Sequence, residues 1–296
     1  MHAIRRAALT APVLLSVAAA ARPVPQTVLG VFALAGASPK ATATLTATPD
    51  RSLPKSGNSG VPMTLGVTMT AIGAKKPIGR YDRELGKVMH LIAVSDDLRD
   101  FVHVHGEGVD KRGRVETYAR FPHSGFYHVY ADATPTGLGQ QVFRFDLRVG
   151  TAQGASAPPA AAPLPPPSLD AADGAYAVRL DPFTLTGGQE ATLRLHILHD
   201  GQPASDVTPF LGVAAHAVLI SVSTLSYIHV HAQVPGRPGS GMAGMPGMDD
   251  APPLTGPVRP DLALHIKPPQ PGAYRLWLQF MAAGKVRTVA FTVIVQ

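Results

Sequence analysis

The chain has 296 residues, 45% hydrophobic and 16% charged, which makes two domains the default and excludes disorder throughout. Its formal charge of +6 comes from scattered Lys and Arg, with no basic stripe and no interleaved aromatics, so nucleic acid is not an expected partner. Cysteine is absent, which excludes disulfides, zinc ribbons, thiol nucleophiles and thiolate copper centres; a metal would have to be held by His, Met or carboxylates.

In chain order, Arg5 and Arg6 precede an apolar run from Ala7 to Ala21 with small residues near Ala19 to Ala21 and again at Ala35-Gly36-Ala37. This is the pattern of a secretory signal peptide, and residues 1–37 are read as that signal or as an N-terminal apolar segment. Pro23 and Pro25 interrupt the stretch and make it a poor spanning helix, and no later segment is long and apolar enough to cross a bilayer. The expected mature protein is periplasmic or secreted, with no membrane span once the signal is removed.

Residues 41–150 and 170–296 each read as a series of short alternating strands separated by turn residues, with 29 Gly and 29 Pro in the whole chain and no long window at helical spacing. Between them, TAQGASAPPAAAPLPPPSL at residues 151–169 cannot build a core and is expected to be a semi-rigid, extended Pro/Ala-rich linker between independently folding halves. The halves are copies of one another. HLIAVSDDLRDFVHVH from His90 aligns without a gap on HAVLISVSTLSYIHVH from His216, GFYHVYAD from Gly125 on GAYRLWLQ from Gly272, and VFRFDLRV from Val142 on TVAFTVIV from Thr288. The expected fold is all-β: two tandem immunoglobulin-like or cupredoxin-like β-sandwich domains.

His103 and His105, like His229 and His231, lie two apart on a strand, so each pair projects from one face and supplies half of a metal site. Alternatively the pairs are surface residues alternating with buried valines. His90 and His216 depend on register. If the hairpin pairs residues whose numbers sum to 195, His90 lies opposite His105 and all three histidines share a face; a sum of 196 turns His90 away.

The second copy carries an insertion, residues 236–257, in which Met242, Met245 and Met248 recur among Gly and Pro. A Gly/Pro loop has no core for methionine to fill, which points to thioether ligation of Cu(I). His229, His231 and the three methionines are therefore the expected main copper site, with His103 and His105 as a second. His123, His128, His196, His199 and His265 share no repeated spacing and are read as spare polar residues. No nucleophile elbow or phosphate loop occurs, so no enzyme is expected.

MHLIAVSDDLRDFVHVH with GFYHVYAD, and AHAVLISVSTLSYIHVHAQ with GAYRLWLQF and KVRTVAFTV, resemble exported bacterial YtkA-like domains, whose sandwiches look like those of CopC-type copper carriers. The resemblance covers most of residues 41–296 and implies a metal-handling role. The second His-x-His is followed by Gly106 or Ala232, where the family's usual residue is Pro. The function expected is copper binding or buffering, with the metal ion as partner; a structural or interaction module with a cell-envelope protein partner is the other reading.

Overall fold

The computed structural model describes residues 25–50, 60–150, 163–236 and 253–296, which form strands and turns without a helix. The first half contributes β1 (Gln26–Leu29), β2 (Val31–Phe32), β3 (Ala41–Pro49), β4 (Val61–Ala71), β5 (Tyr81–Asp82), β6 (Met89–Ser95), β7 (Phe101–Gly106), β8 (Arg114–Phe121), β9 (Gly125–Pro135) and β10 (Gln141–Val149). The second half contributes β11 (Asp170–Asp173), β12 (Tyr176–Leu180), β13 (Ala191–His199), β14 (Gln202–Pro203), β15 (Val207–Thr208), β16 (Ala215–Ser221), β17 (Tyr227–Ala232), β18 (Asp261–Ile266), β19 (Gly272–Ala282) and β20 (Lys285–Val295).

Each half is a two-layer antiparallel sandwich. In the first, β1-β3-β4-β8 faces β2-β10-β9-β6-β7, with β5 added on β9; in the second, β11-β12-β13-β14, joined by β18 on β13, faces β15-β19-β16-β17, joined by β20 on β19. Strand β3 shows how the sequence makes a one-sided strand: Ala41, Ala43, Leu45 and Ala47 point into the core while the threonines between them do not. The two sandwich cores are separate, one built on Leu45, Val67, Leu91 and Phe145 and the other on Leu195, Leu219, Leu276 and Phe291.

Strands β6 and β16 break that alternation. Ser95 apart, every residue of MHLIAVS and AHAVLIS is buried, so both faces of these strands are covered. The inner face meets its own sandwich, and the outer face meets the other one. A third core joins Ile92, Val94, Tyr130 and Val142 of the first half to Val218, Ile220, Tyr227 and Trp277 of the second.

The contacts across this seam are reciprocal. Phe101 on β7 stacks on Trp277 of β19 at 5.2 Å between ring centroids, and Tyr130 on β9 stacks on Tyr227 of β17 at 5.0 Å. Because Phe101 aligns with Tyr227 and Tyr130 with Trp277, the two stacks are the same contact made twice about a pseudo-two-fold axis, as in an isologous dimer.

Two expectations need correction here. The halves are not held apart by a spacer, because the outer faces of β6 and β16 are too apolar to face water. Residues 151–162 of the linker lie outside the described residues, and at its end Leu164 packs into the seam while the Pro163 carbonyl accepts a 2.9 Å bond from Arg99. Likewise, part of the apolar stretch assigned to residues 1–37 belongs to the first sandwich: β1 pairs with β3, β2 pairs with β10, and Leu34 packs at the seam. Residues 1–24 lie outside the described residues.

Candidate metal centre between the repeats

Hairpin register gathers the histidines. In β6–β7, His90 lies opposite His105 and Ile92 opposite His103; in β16–β17, His216 lies opposite His231 and Val218 opposite His229. Directly opposed residues share a face, so each hairpin presents three imidazoles on its outer face, the one turned to the seam. Instead of one centre in each domain, the two triplets meet. The ring centroids of His90 and His229 are 5.0 Å apart, those of His103 and His216 5.4 Å, and those of His103 and His229 5.5 Å.

Within each triplet the nitrogens are close. Nδ1 of His90 lies 3.3 Å from Nε2 of His103, and Nδ1 of His216 lies 3.4 Å from Nε2 of His229. The remaining nitrogens of the central histidines are held from across the seam. Nδ1 of His103 is 2.9 Å from Oε1 of Gln279, and Nδ1 of His229 is 3.6 Å from Oδ2 of Asp132. Asp132 and Gln279 occupy equivalent places, opposite His90 and His216 on the neighbouring strand of their own repeats, so this too is one contact made twice. Such outer partners fix the tautomer, leaving the Nε2 lone pair turned to the neighbouring imidazole, where a metal can take it up.

The cluster is enclosed. His90 and His216 are each 1% exposed, and the side chain of His229 is likewise 1% exposed although its strand lies at a sheet edge. Burial, reinforced by the neighbouring imidazoles, holds His90, His216 and His229 well below the ordinary histidine pKa. Burial also lowers His103 to about 4, against the opposing pull of its bond to Gln279; His231 falls to about 4 and His105 to about 3 for the same first cause. All six are therefore neutral at pH 7, the state in which imidazole ligates a metal. Burial also raises Asp132, to about 6.

Nε2 of His90, His105 and His231 is buried without a hydrogen-bond partner. Glu84 stands 3.8 Å from the first and 3.5 Å from the third. It is placed by a tight turn in which Leu85 and Gly86 both take positive φ; the equivalent Leu211-Gly212 turn presents Phe210, whose carbonyl lies 3.2 Å from Nε2 of His216. Among the described residues, three groups of three have ligand atoms within 4.8 Å of one another: His90, His103 and His105; His103, His216 and His229; and Glu84, His229 and His231.

Met242, Met245 and Met248 lie outside the described residues. The ends of their insertion are described: the Pro235 carbonyl accepts a 2.7 Å bond from Arg259, and the Leu254 amide donates to the Gly212 carbonyl, on the turn that carries Phe210. The other described histidines are engaged elsewhere, His128 by Asp146, His123 by Asp100, His196 by Asp261 and Asp181, His265 by Thr192, and His199 by stacking on Tyr176. Glu84, Asp132 and Gln279 escape a reading based on His spacing. Asp132 and Gln279 carried a signal: each is the polar residue ending a matched apolar segment, GFYHVYAD and GAYRLWLQ.

Residues 50–151 and 170–296 match the family described as a domain of unknown function, DUF8832. The chain belongs to this family. Each of its two DUF8832 segments contains one complete histidine triplet, His90, His103 and His105 in the first and His216, His229 and His231 in the second. The family match is to DUF8832 and does not confirm the expected YtkA-like or CopC-type family. No curated protein matches the chain. Among solved structures, domains 4 and 5 of the S-layer protein SbsC align over 93% of this chain and 99% of theirs at 11% identity, with a TM-score of 0.22, an overlap too slight to bear on fold or role.

Proposed function

We propose that this DUF8832 protein is an exported, non-catalytic metal-binding protein that holds a transition metal, copper foremost, among the histidines of the seam. The observation that carries the reading is the set of buried Nε2 atoms without hydrogen-bond partners, on imidazoles already neutral at pH 7. A buried polar atom left unpaired costs about 1–3 kcal/mol, and a metal ion would remove that cost at several positions together. Imidazole suits copper, zinc, iron and nickel, and for a given nitrogen site the divalent series peaks at copper. The enclosure favours retention over rapid exchange, and Arg5, Arg6 and the apolar run after them support export.

Competition titration against a chromophoric chelator tests the reading, on wild type and on His103→Ala and His229→Ala. Wild type should bind cupric ion more tightly than micromolar, and each substitution should weaken binding at least about tenfold, as a lost ligand requires. The other reading, a structural or interaction module of the cell envelope, is favoured by the aromatic stacks, which are complete without a metal. Equal binding by all three proteins, at micromolar strength or weaker, would overturn the metal-binding reading and put this one in its place.

A further inference from the structure

Resting on that metal-binding reading, we infer that the seam holds two metal ions, one on His90, His103 and His105 and the other on Glu84, His229 and His231 with His216 beside them. The three ligand groups overlap in a way that allows only two kinds of occupancy. The group of His103, His216 and His229 shares His103 with the first triad and His229 with the third, so an ion seated there excludes both. The first and third triads have no residue in common and can fill together.

Satisfaction of buried groups decides between one central ion and two flanking ones. A central ion leaves out His105 and His231, whose Nε2 atoms are enclosed without hydrogen-bond partners, whereas two flanking ions take both residues as ligands. Distances in the first triad agree with the flanking arrangement. Metal–nitrogen bonds of about 2.0–2.1 Å in a tetrahedral shell put neighbouring nitrogens about 3.3 Å apart. His90 Nδ1 to His103 Nε2 is 3.3 Å, so this triad already presents one edge of such a shell, and its third corner is His105, whose ring stands 4.7 Å from that of His90. In the other triad the Glu84 carboxylate stands 3.5 Å from Nε2 of His231, with the ring of His229 5.0 Å from that of His231.

The pair is not symmetric. Glu84 has Phe210 as its counterpart, so the seam has one such carboxylate; it stands nearer His231 of the second repeat, at 3.5 Å, than His90 of its own, at 3.8 Å, and its ligand group is completed by His229 and His231. The site on Glu84, His229 and His231 is therefore completed across the seam and depends on the docking of the two repeats. The site on His90, His103 and His105 is built within one hairpin.

The test uses the full chain with cupric and zinc ions as probes, both of which prefer imidazole to the thioethers of the insertion. After removal of loose metal, wild type should retain two ions per chain, and His105→Ala and His231→Ala one each. Cupric ions in two adjacent triads without a shared ligand should couple through space, so the electron paramagnetic resonance spectrum of copper-loaded wild type should show dipolar broadening and a half-field signal, while each variant gives the unbroadened spectrum of a single copper. The wild-type copper count and spectrum stand even if a variant fails to fold. One ion per chain in wild type, with no dipolar coupling, would overturn the two-ion inference and leave metal binding intact. No retained ion would overturn both.

Discussion

At the scale of single residues, the site depends on side chains that ligate nothing. Gln279 reaches across the seam to Nδ1 of His103 and so directs Nε2 toward His90. Gln279→Leu keeps most of the volume and removes the acceptor, leaving one buried ring nitrogen unpaired at about 1–3 kcal/mol. The expected outcome is a lower urea midpoint for the metal-free protein and a 10- to 100-fold loss of copper affinity, the usual effect of removing an outer partner. Unchanged affinity would mean that His103 is oriented by its hairpin alone. Away from the seam, His196 is bonded by Asp261 at 2.7 Å and Asp181 at 2.9 Å, which raise its pKa above the ordinary 6.5. A raised folded-state pKa means that this contact stabilises the fold fully below about pH 6.5 and fades as pH rises through the folded value. Nuclear magnetic resonance titration should place the His196 midpoint above 6.5, and Asp261→Asn should bring it down.

At the scale of elements, β7 ends on a packing constraint. A Cβ on Gly106 would stand 2.1 Å from Cγ1 of Val115, where β8 passes close to the end of the His-x-His strand. Gly106→Ala should therefore destabilise by about 1–3 kcal/mol, read as a shift in the urea midpoint, because valine has no spare rotamer to yield. The strands, their alternation and the duplication were legible in the sequence, since each follows from period-2 burial and turn residues. Which way His90 and His216 faced was not, because a one-residue slip in the hairpin reverses every side chain and the residues on both faces of MHLIAVS are apolar. That same two-sided apolarity was the sign that the outer face is covered. The covering element is the other repeat, more than a hundred residues away, and no local pattern names it. Asp132 and Gln279 were visible only as polar ends of matched segments, and Glu84, aligned with a phenylalanine, showed no repeat at all.

At the scale of the whole molecule, the chain resembles a homodimer joined into one polypeptide. Its two sandwiches keep separate cores and dock through equivalent outer faces, Phe101 on Trp277 and Tyr130 on Tyr227 framing the histidines. Docking encloses the imidazoles, enclosure keeps them neutral, and neutral imidazoles with unpaired nitrogens are what a transition metal binds. The Met insertion closes at Leu254 on the turn whose Phe210 packs against His216, which makes sulfur the competing donor to test. X-ray absorption at the copper edge of the loaded full-length protein separates the two most directly. The account predicts nitrogen or oxygen scatterers at about 2.0 Å with the outer-shell pattern of several imidazoles; a first shell dominated by sulfur at about 2.3 Å, or one without imidazole scattering, would contradict it.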